Sequence, residues 1–365
     1  MTTRSGATAD PQLAAALAHW APRLVANGID YNDFVATTAR VERWADWCAA
    51  WMETGAIHER LAAEADERGA SASAAEARVR AALCHHFGKF VFFEDMDAYR
   101  MANARTVANF RAALPHLDPP AERVEIPYAG TVLPGYLRLP KGSVDRPPVV
   151  LIISGLDSVK EEMHTFEPLF HRRGMATLSF DGPGQGESEA LPIEPAFEKP
   201  VAAVADWIAR RGDVDGRRVG AVGVSLGGYY AARAAAYVDR LACAVSVGGP
   251  YDISEVFAST PTVTQQAFMT RSHSPTLAAA AEAVRALTLK DAARRIERPF
   301  LVVFGQKDRL IPFAQAERLI SEVPFHDKQL VLYPEGNHVC NNMPYAYRPM
   351  VADWVAARLG AEAVR

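Results

Sequence analysis

Val219-Gly220-Ala221-Val222-Gly223-Val224-Ser225-Leu226-Gly227-Gly228-Tyr229-Tyr230-Ala231-Ala232-Arg233 is the stretch on which the fold turns. Its first six residues form an apolar run that reads as a buried strand, and its last five favour a helix. Between them, Gly223-Val224-Ser225-Leu226-Gly227 has the Gly-x-Ser-x-Gly pattern of a nucleophile elbow, a turn so sharp that its flanking positions tolerate almost no side chain. Glycines at 223 and 227 meet that demand and let Ser225 project its hydroxyl above the sheet edge. The implied chemistry is nucleophilic attack by serine. The pattern alone also marks ordinary turns, so the reading depends on what the rest of the chain supplies.

Serine at its free pKa is a weak nucleophile; it needs a histidine to take its proton and a carboxylate to hold that histidine in the right tautomer. Both appear downstream. Pro299 to Gly305 reads as a buried strand, and Gln306-Lys307-Asp308 follows at its carboxyl end, which makes Asp308 the expected acid. A second run, Gln329 to Tyr333, leads into Pro334-Glu335-Gly336-Asn337-His338, which makes His338 the expected general base. Taken singly, Asp308 could cap a helix starting near Phe313, and His338 could be a surface loop residue. The order Ser225, Asp308, His338, each directly after its own strand, favours the catalytic reading. Asp252, after the strand Leu241 to Val247, is the rival acid.

Acyl transfer also needs donors where the tetrahedral oxygen's charge develops. The Leu226 amide, directly after the nucleophile, is one. The other is expected from Ser154-Gly155-Leu156-Asp157-Ser158, after the strand Pro148 to Ile153, with Gly155 allowing close approach and the Leu156 amide donating. An ordinary strand-to-helix turn is the alternative for Gly155-Leu156.

The 365 residues, 49% hydrophobic and 22% charged, predict a soluble globular protein larger than one ordinary domain. A formal charge of -4 gives no basic field for nucleic acid, and no basic run marks a membrane surface. The start lacks the apolar core of a signal peptide and no stretch reaches membrane-spanning length, so a cytoplasmic location is expected. Cys48, Cys84, Cys243 and Cys340 lack paired spacing, and the adjacent His85-His86 would diverge on a helix, so neither disulfide, metal nor cofactor is expected. The expected partner is a small-molecule substrate.

The chain divides near residue 120. Residues 1–120 read as a helical domain: Asp10 caps a first helix ending at Gly28, a second runs from Phe34 to Gly55, a third from Ser71 or Ser73 to Phe90, and a fourth from Asp95 or Asp97 to Leu114. Trp44, Trp47 and Trp51 crowd the second helix and predict helix packing or a homodimer contact, with an aromatic ligand surface as the alternative. This domain is also expected to roof the pocket. After Pro115, Pro119 and Pro120, residues 121–365 predict a hairpin across Ala129-Gly130 and then alternating strands and helices. Strands are expected near 148–154, 175–181, 219–225, 241–248, 299–305 and 328–333, giving a mostly parallel, doubly wound α/β sheet. Residues 251–295 are too long for one crossover helix and predict a helical lid, with Phe257 and Phe268 as apolar walls. A plain packing insertion is the alternative.

Through Gly-Val-Ser-Leu-Gly, Phe-Gly-Gln-Lys-Asp, Gly-Asn-His and Asp181-Gly182-Pro183-Gly184-Gln185-Gly186-Glu187-Ser188, residues 123–360 resemble the α/β-hydrolase superfamily. With the helical first domain and Ser154 to Glu162, the layout is similar to the 2,6-dihydroxypseudooxynicotine hydrolase group. That resemblance implies hydrolysis of a carbon–carbon bond beside a ketone in an aromatic or polyketide-like substrate, with His338 protonating the departing carbon. It also implies an acidic pocket residue after the strand that follows the elbow, for which Glu255 is the nearest; a solvent-facing position is the alternative. Glu161 and Glu162 are read as structural. An esterase, thioesterase or acyltransferase/cyclase with the same triad, and a noncatalytic binding protein on this scaffold, are the competing classes.

Overall fold

Residues 10–142 and 145–361 are described by a computed structural model, in which the residues up to Leu117 form one compact unit and those from Asp118 a second. Expectations placed on residues 1–9 lie outside the described residues. The first unit contains helices α1 (Pro11–Ala26), α2 (Tyr31–Thr38), α3 (Trp47–Glu67), α4 (Ser71–Lys89) and α5 (Met96–Ala113). Asp10 caps α1 as expected, one carboxylate oxygen accepting the Gln12 and Leu13 amides at 2.9 and 3.1 Å.

The expected helix from Phe34 to Gly55 is corrected in two ways. It is broken between Thr38 and Trp47, because the second Asp10 oxygen takes the Trp44 amide at 2.6 Å, a donor that a continuous helix would give to the Arg40 carbonyl. It then runs past Gly55 to Glu67. A β-carbon on Gly55 would lie 2.4 Å from His85 Cε1, so this glycine permits close packing of α3 on α4 and does not end the helix. Trp44, Trp47 and Trp51 are at most 2% exposed, and Trp44 stacks on Trp47 with centroids 5.3 Å apart. Buried this fully, they are helix-packing core, the first of the readings their spacing allowed, and form no aromatic ligand surface.

The second unit is built on an eight-stranded sheet. The hairpin β1 (Ala121–Tyr128) and β2 (Thr131–Arg138) turns at Ala129-Gly130. It is followed by β3 (Pro148–Ile153), β4 (Ala176–Phe180), β5 (Asp215–Val224), β6 (Leu241–Val247), β7 (Phe300–Gly305) and β8 (Lys328–Tyr333), in the spatial order β1-β2-β4-β3-β5-β6-β7-β8. All pairings from β4 to β8 are parallel, and β2 joins β4 antiparallel. Between and after the strands lie helices α6 (Glu167–His171), α7 (Glu198–Ala209), α8 (Leu226–Tyr237), α9 (Thr262–Arg271), α10 (Leu277–Ala283), α11 (Ala314–Glu322) and α12 (Pro344–Leu359).

Strands covered on both faces must be apolar throughout, and alternate side chains then enter different cores. Val149, Leu151 and Ile153 of β3 and Phe300, Val302 and Phe304 of β7 join one core with α7 and α8. Val150, Ile152, Leu301 and Val303 join the other, with Phe166, Phe170 and the α12 residues Val351 and Val355. Pairing of β5 with β6, β6 with β7 and β7 with β8 sets the carboxyl ends that precede Ser225, Asp308 and His338 along one sheet edge. Residues 251–295 connect β6 to β7 through α9, α10 and short 3-10 turns, and Phe257 meets Phe268 edge to face at 5.9 Å within the first core.

Candidate active site

The elbow is a strained turn held by its surroundings. Ser225 has φ 56° and ψ -126°, a conformation a residue with a β-carbon adopts only when neighbours over-determine it. Its amide donates to the Val247 carbonyl at 2.8 Å, and its carbonyl accepts the Gly228 amide at 2.7 Å. The flanking glycines are required sterically. A β-carbon on Gly223 would lie 1.8 Å from the Gly227 carbonyl oxygen, and one on Gly227 would lie 2.1 Å from that of Ile153.

His338 Nε2 lies 2.8 Å from Ser225 Oγ, and its Nδ1 lies 2.7 Å from Asp308 Oδ2. With Asp308 accepting the Nδ1 proton, Nε2 is left to accept the serine hydroxyl. The Asp308 carboxylate divides its work, since Oδ1 accepts the Leu310 and Ile311 amides at 2.8 and 3.0 Å while Oδ2 faces the imidazole. The loop bearing His338 is tense, with Val339 and Cys340 at φ 59° and 53°, in the left-handed region that β-branched valine rarely enters. A reciprocal clasp spans it: Asn337 and Asn342 exchange amide-to-side-chain hydrogen bonds at 2.9 and 3.2 Å, and Asn342 Nδ2 donates to the Glu335 carbonyl. This clasp was missed in the sequence, where two asparagines five residues apart carry no distinctive signal.

Asp252, the rival acid, uses Oδ1 on its own turn, accepting from the Ser254 amide and hydroxyl, and pairs Oδ2 with Lys290 at 3.5 Å. The Leu226 amide opens α8, among the helix-start donors that have no intrahelical partner. Gly155 backs directly onto Ser225, since a β-carbon there would lie 3.1 Å from Ser225 Cβ. Among the described residues the Leu156 amide donates no hydrogen bond.

The placement of Glu255 as a pocket acid is corrected. It is exposed and ion-paired with Arg318 of α11 at 2.8 Å, so its charge is solvated and neutralised away from the buried groups around Ser225. Phe257 and Phe268 are buried against each other. Glu161 and Glu162 are buried. Glu162 accepts from Ser158, which anchors the loop as expected, whereas Glu161 belongs to a charge cluster that the sequence did not reveal.

That cluster centres on Lys160, whose Nζ lies 2.9 Å from Glu161, 2.7 Å from Asp181 and 2.7 Å from Glu187. Burial opposes the ammonium, but Asp181, Glu161 and Glu187 outweigh it and hold Lys160 charged well above its ordinary range. Burial would likewise raise the Glu187 carboxyl, yet the paired Arg123 hydrogen bonds at 2.8 and 2.9 Å and the Lys160 charge bring it down to about 2. Burial pushes Glu161 up, and Tyr136 donates to it at 2.9 Å. The available signal was Asp181 to Glu187, which stood out in the sequence as a motif without a charge partner.

In the first unit, Asp33, His58 and Cys84 bring one potential metal-ligand atom each within 4.8 Å of one another. A 2.7 Å hydrogen bond joins His58 to Asp33, and burial pushes the Cys84 thiol up, so the arrangement reads as a bonded pair beside a protonated thiol. All four cysteines are free and buried. No helix among the described residues is long and apolar enough to cross a membrane.

A family model described as FrsA-like esterase matches residues 27–359. The chain is 34% identical over 335 residues to the 2,6-dihydropseudooxynicotine hydrolase of Paenarthrobacter nicotinovorans, covering 91% of this chain and 90% of that protein. Similarity to an α/β hydrolase of Aspergillus fumigatus is 34% over 227 residues, 57% of this chain and 51% of that protein. The crystal structure of the 2,6-dihydroxy-pseudo-oxynicotine hydrolase matches with a TM-score of 0.86 at 33% identity, covering 93% of this chain and 95% of that one. The wild-type AbyA5 structure, at 23% identity and a TM-score of 0.78 over 96% of this chain and 95% of that one, shares the fold.

Proposed function

The chain belongs to the FrsA-like esterase family of α/β hydrolases, and from that premise we propose that it is a serine hydrolase cleaving a carbon–carbon bond beside a ketone in an aromatic or polyketide-like small molecule. Ser225 is the nucleophile, His338 the general base and Asp308 the residue that fixes the imidazole tautomer. The observation that carries the reading is the continuous hydrogen-bonded line from Asp308 through His338 to Ser225 Oγ, at 2.7 and 2.8 Å. Preference for a ketone is supported by a likeness that runs through nine-tenths of a relative whose name specifies a pseudooxynicotine hydrolase.

In this mechanism Ser225 Oγ bonds to the ketone carbon as its proton passes to His338 Nε2, and the Leu156 and Leu226 amides face the oxygen that becomes negative. The carbon–carbon bond then breaks. Its electron pair leaves on the ring or enol fragment, which takes the proton from the His338 imidazolium, and water hydrolyses the remaining acyl ester. Ester or thioester cleavage, or acyl transfer, needs the same groups with a better leaving atom, and the family's description as esterase favours that second reading.

The test is a panel of acyl-phenol and pyridyl ketones, β-diketones and nitrophenyl esters compared by kcat/KM, with Ser225→Ala as control. Efficient ketone cleavage with weak ester turnover is expected. Efficient ester turnover without ketone cleavage would favour the second reading, and activity above a few percent in Ser225→Ala would reject the nucleophile.

A further inference from the structure

The sequence singled out the turn after β4 for its motif, and Ser225, Asp308 and His338 leave its glutamine unexplained. Gln185 is 2% exposed, and every polar atom of its side chain is committed. Nε2 donates to the Ser154 carbonyl at 2.7 Å and to the Gly155 carbonyl at 2.8 Å, while Oε1 accepts the Gly182 amide at 3.0 Å. The Gln185 amide in turn donates to the Gly182 carbonyl at 2.9 Å, which closes the turn that carries the side chain.

The Gly155 carbonyl and the Leu156 N–H belong to one planar, trans peptide, so they point in opposite directions and a hold on one aims the other. Resting on the reading of Ser225 as nucleophile, we propose that Gln185 is a positioning residue that aims the Leu156 amide at the oxygen of the tetrahedral adduct. The peptide is in the right place for this, because Gly155 sits so close to Ser225 that a β-carbon there would lie 3.1 Å from Ser225 Cβ. Removing the donor would leave two buried carbonyls unpaired and the peptide free to rotate toward another partner. The far side of Leu156 is fixed as well. Arg271, at the end of α9, donates to Asp157 Oδ1 from Nε at 3.0 Å and Nη2 at 2.6 Å, and Nη1 donates to Glu189 at 3.0 Å. The donor loop is thus held by the β4 turn on one side and by the β6–β7 insertion on the other.

Gln185→Met keeps the side-chain length and removes both donors; Gln185→Glu keeps the acceptor for Gly182 and sets oxygen against oxygen. In either variant that folds, kcat is expected to fall about 10- to 100-fold with KM changed less than about threefold, and affinity for a trifluoromethyl ketone to fall in parallel. Unchanged kcat and unchanged inhibitor affinity in a folded variant would overturn the proposal. A measurement on the unaltered protein stands beside these. Gly155-Leu156 is the only Gly-Leu pair in the sequence, so carbonyl-13C glycine with 15N leucine selects that one peptide. Its amide proton should move downfield when the trifluoromethyl ketone adduct forms on Ser225. An adduct with the Leu156 signal unmoved would overturn the positioning role alone, whereas no adduct on Ser225 by mass would sink the nucleophile reading and this proposal with it.

Discussion

Two polar networks lie beyond the carboxyl ends of neighbouring strands, one around Ser225 and one around Lys160, and they use their hydrogen bonds in opposite ways. In the Lys160 network each charge is met by its neighbours: the ammonium touches Asp181, Glu161 and Glu187, and Glu187 is paired again with Arg123. In the Ser225 network the bonds run in one direction, the hydroxyl of a strained residue donating to His338 and His338 donating in turn to Asp308. The first arrangement locks the chain; the second, on the proposed function, prepares one atom to react. Gln185 and Glu187, two residues apart, divide between them, the one bracing the donor loop beside Ser225 and the other closing the charge cluster.

The largest effect that could break this contrast is catalytic. Asp308→Asn should lower kcat by up to about 10⁴-fold with little change in melting temperature, because the tautomer is lost while the fold persists. Asp252→Asn should leave kcat nearly unchanged, and a greater loss there than at 308 would reassign the acid. Lys160→Met should do the reverse. It strands the buried Asp181 without its cation and leaves Glu187 only Arg123, so equilibrium denaturation should report a loss of about 3–5 kcal/mol, while folded protein retains kcat within a few-fold. Equal losses of activity and stability in both variants would erase the distinction.

Acid sharpens it further. Glu187 titrates near 2 in the folded chain against about 4.3 when unfolded, so its stabilisation is complete above about 4.3 and is lost as pH falls toward 2. Unfolding free energy should therefore decline across that window, and Glu187→Gln should flatten the decline; an unchanged slope would contradict the cluster's role. The smallest effect expected is at Glu255, exposed and paired on the surface with Arg318. Glu255→Ala should shift stability by no more than about 0.5 kcal/mol and leave kcat/KM in place, and a large kinetic loss would return this carboxylate to the site.

Local signals made much of this legible in sequence. The apolar runs that became β3 to β8, the hairpin at Ala129-Gly130 and the glycines at 223 and 227 are dictated by burial and backbone sterics within a few residues. The geometry joining Ser225, Asp308 and His338 was legible because each follows its own strand. What was not legible depends on contacts between remote segments. Helix periodicity continues through the break before Trp47, where Asp10, the cap of α1, intervenes, and Gly55 carries the mark of a helix end but answers to His85. Lys160 and Asp181 look like ordinary loop charges until the fold buries them together, and Gln185 acquires a role only beside Gly155.

The central claim is that His338 makes Ser225 reactive, and covalent labelling of the folded protein tests it most directly. With a fluorophosphonate, peptide mass mapping should find one adduct per chain, on Ser225, and His338→Ala should suppress it by orders of magnitude. An unlabelled Ser225 in folded protein, or labelling undiminished without the imidazole, would contradict the account.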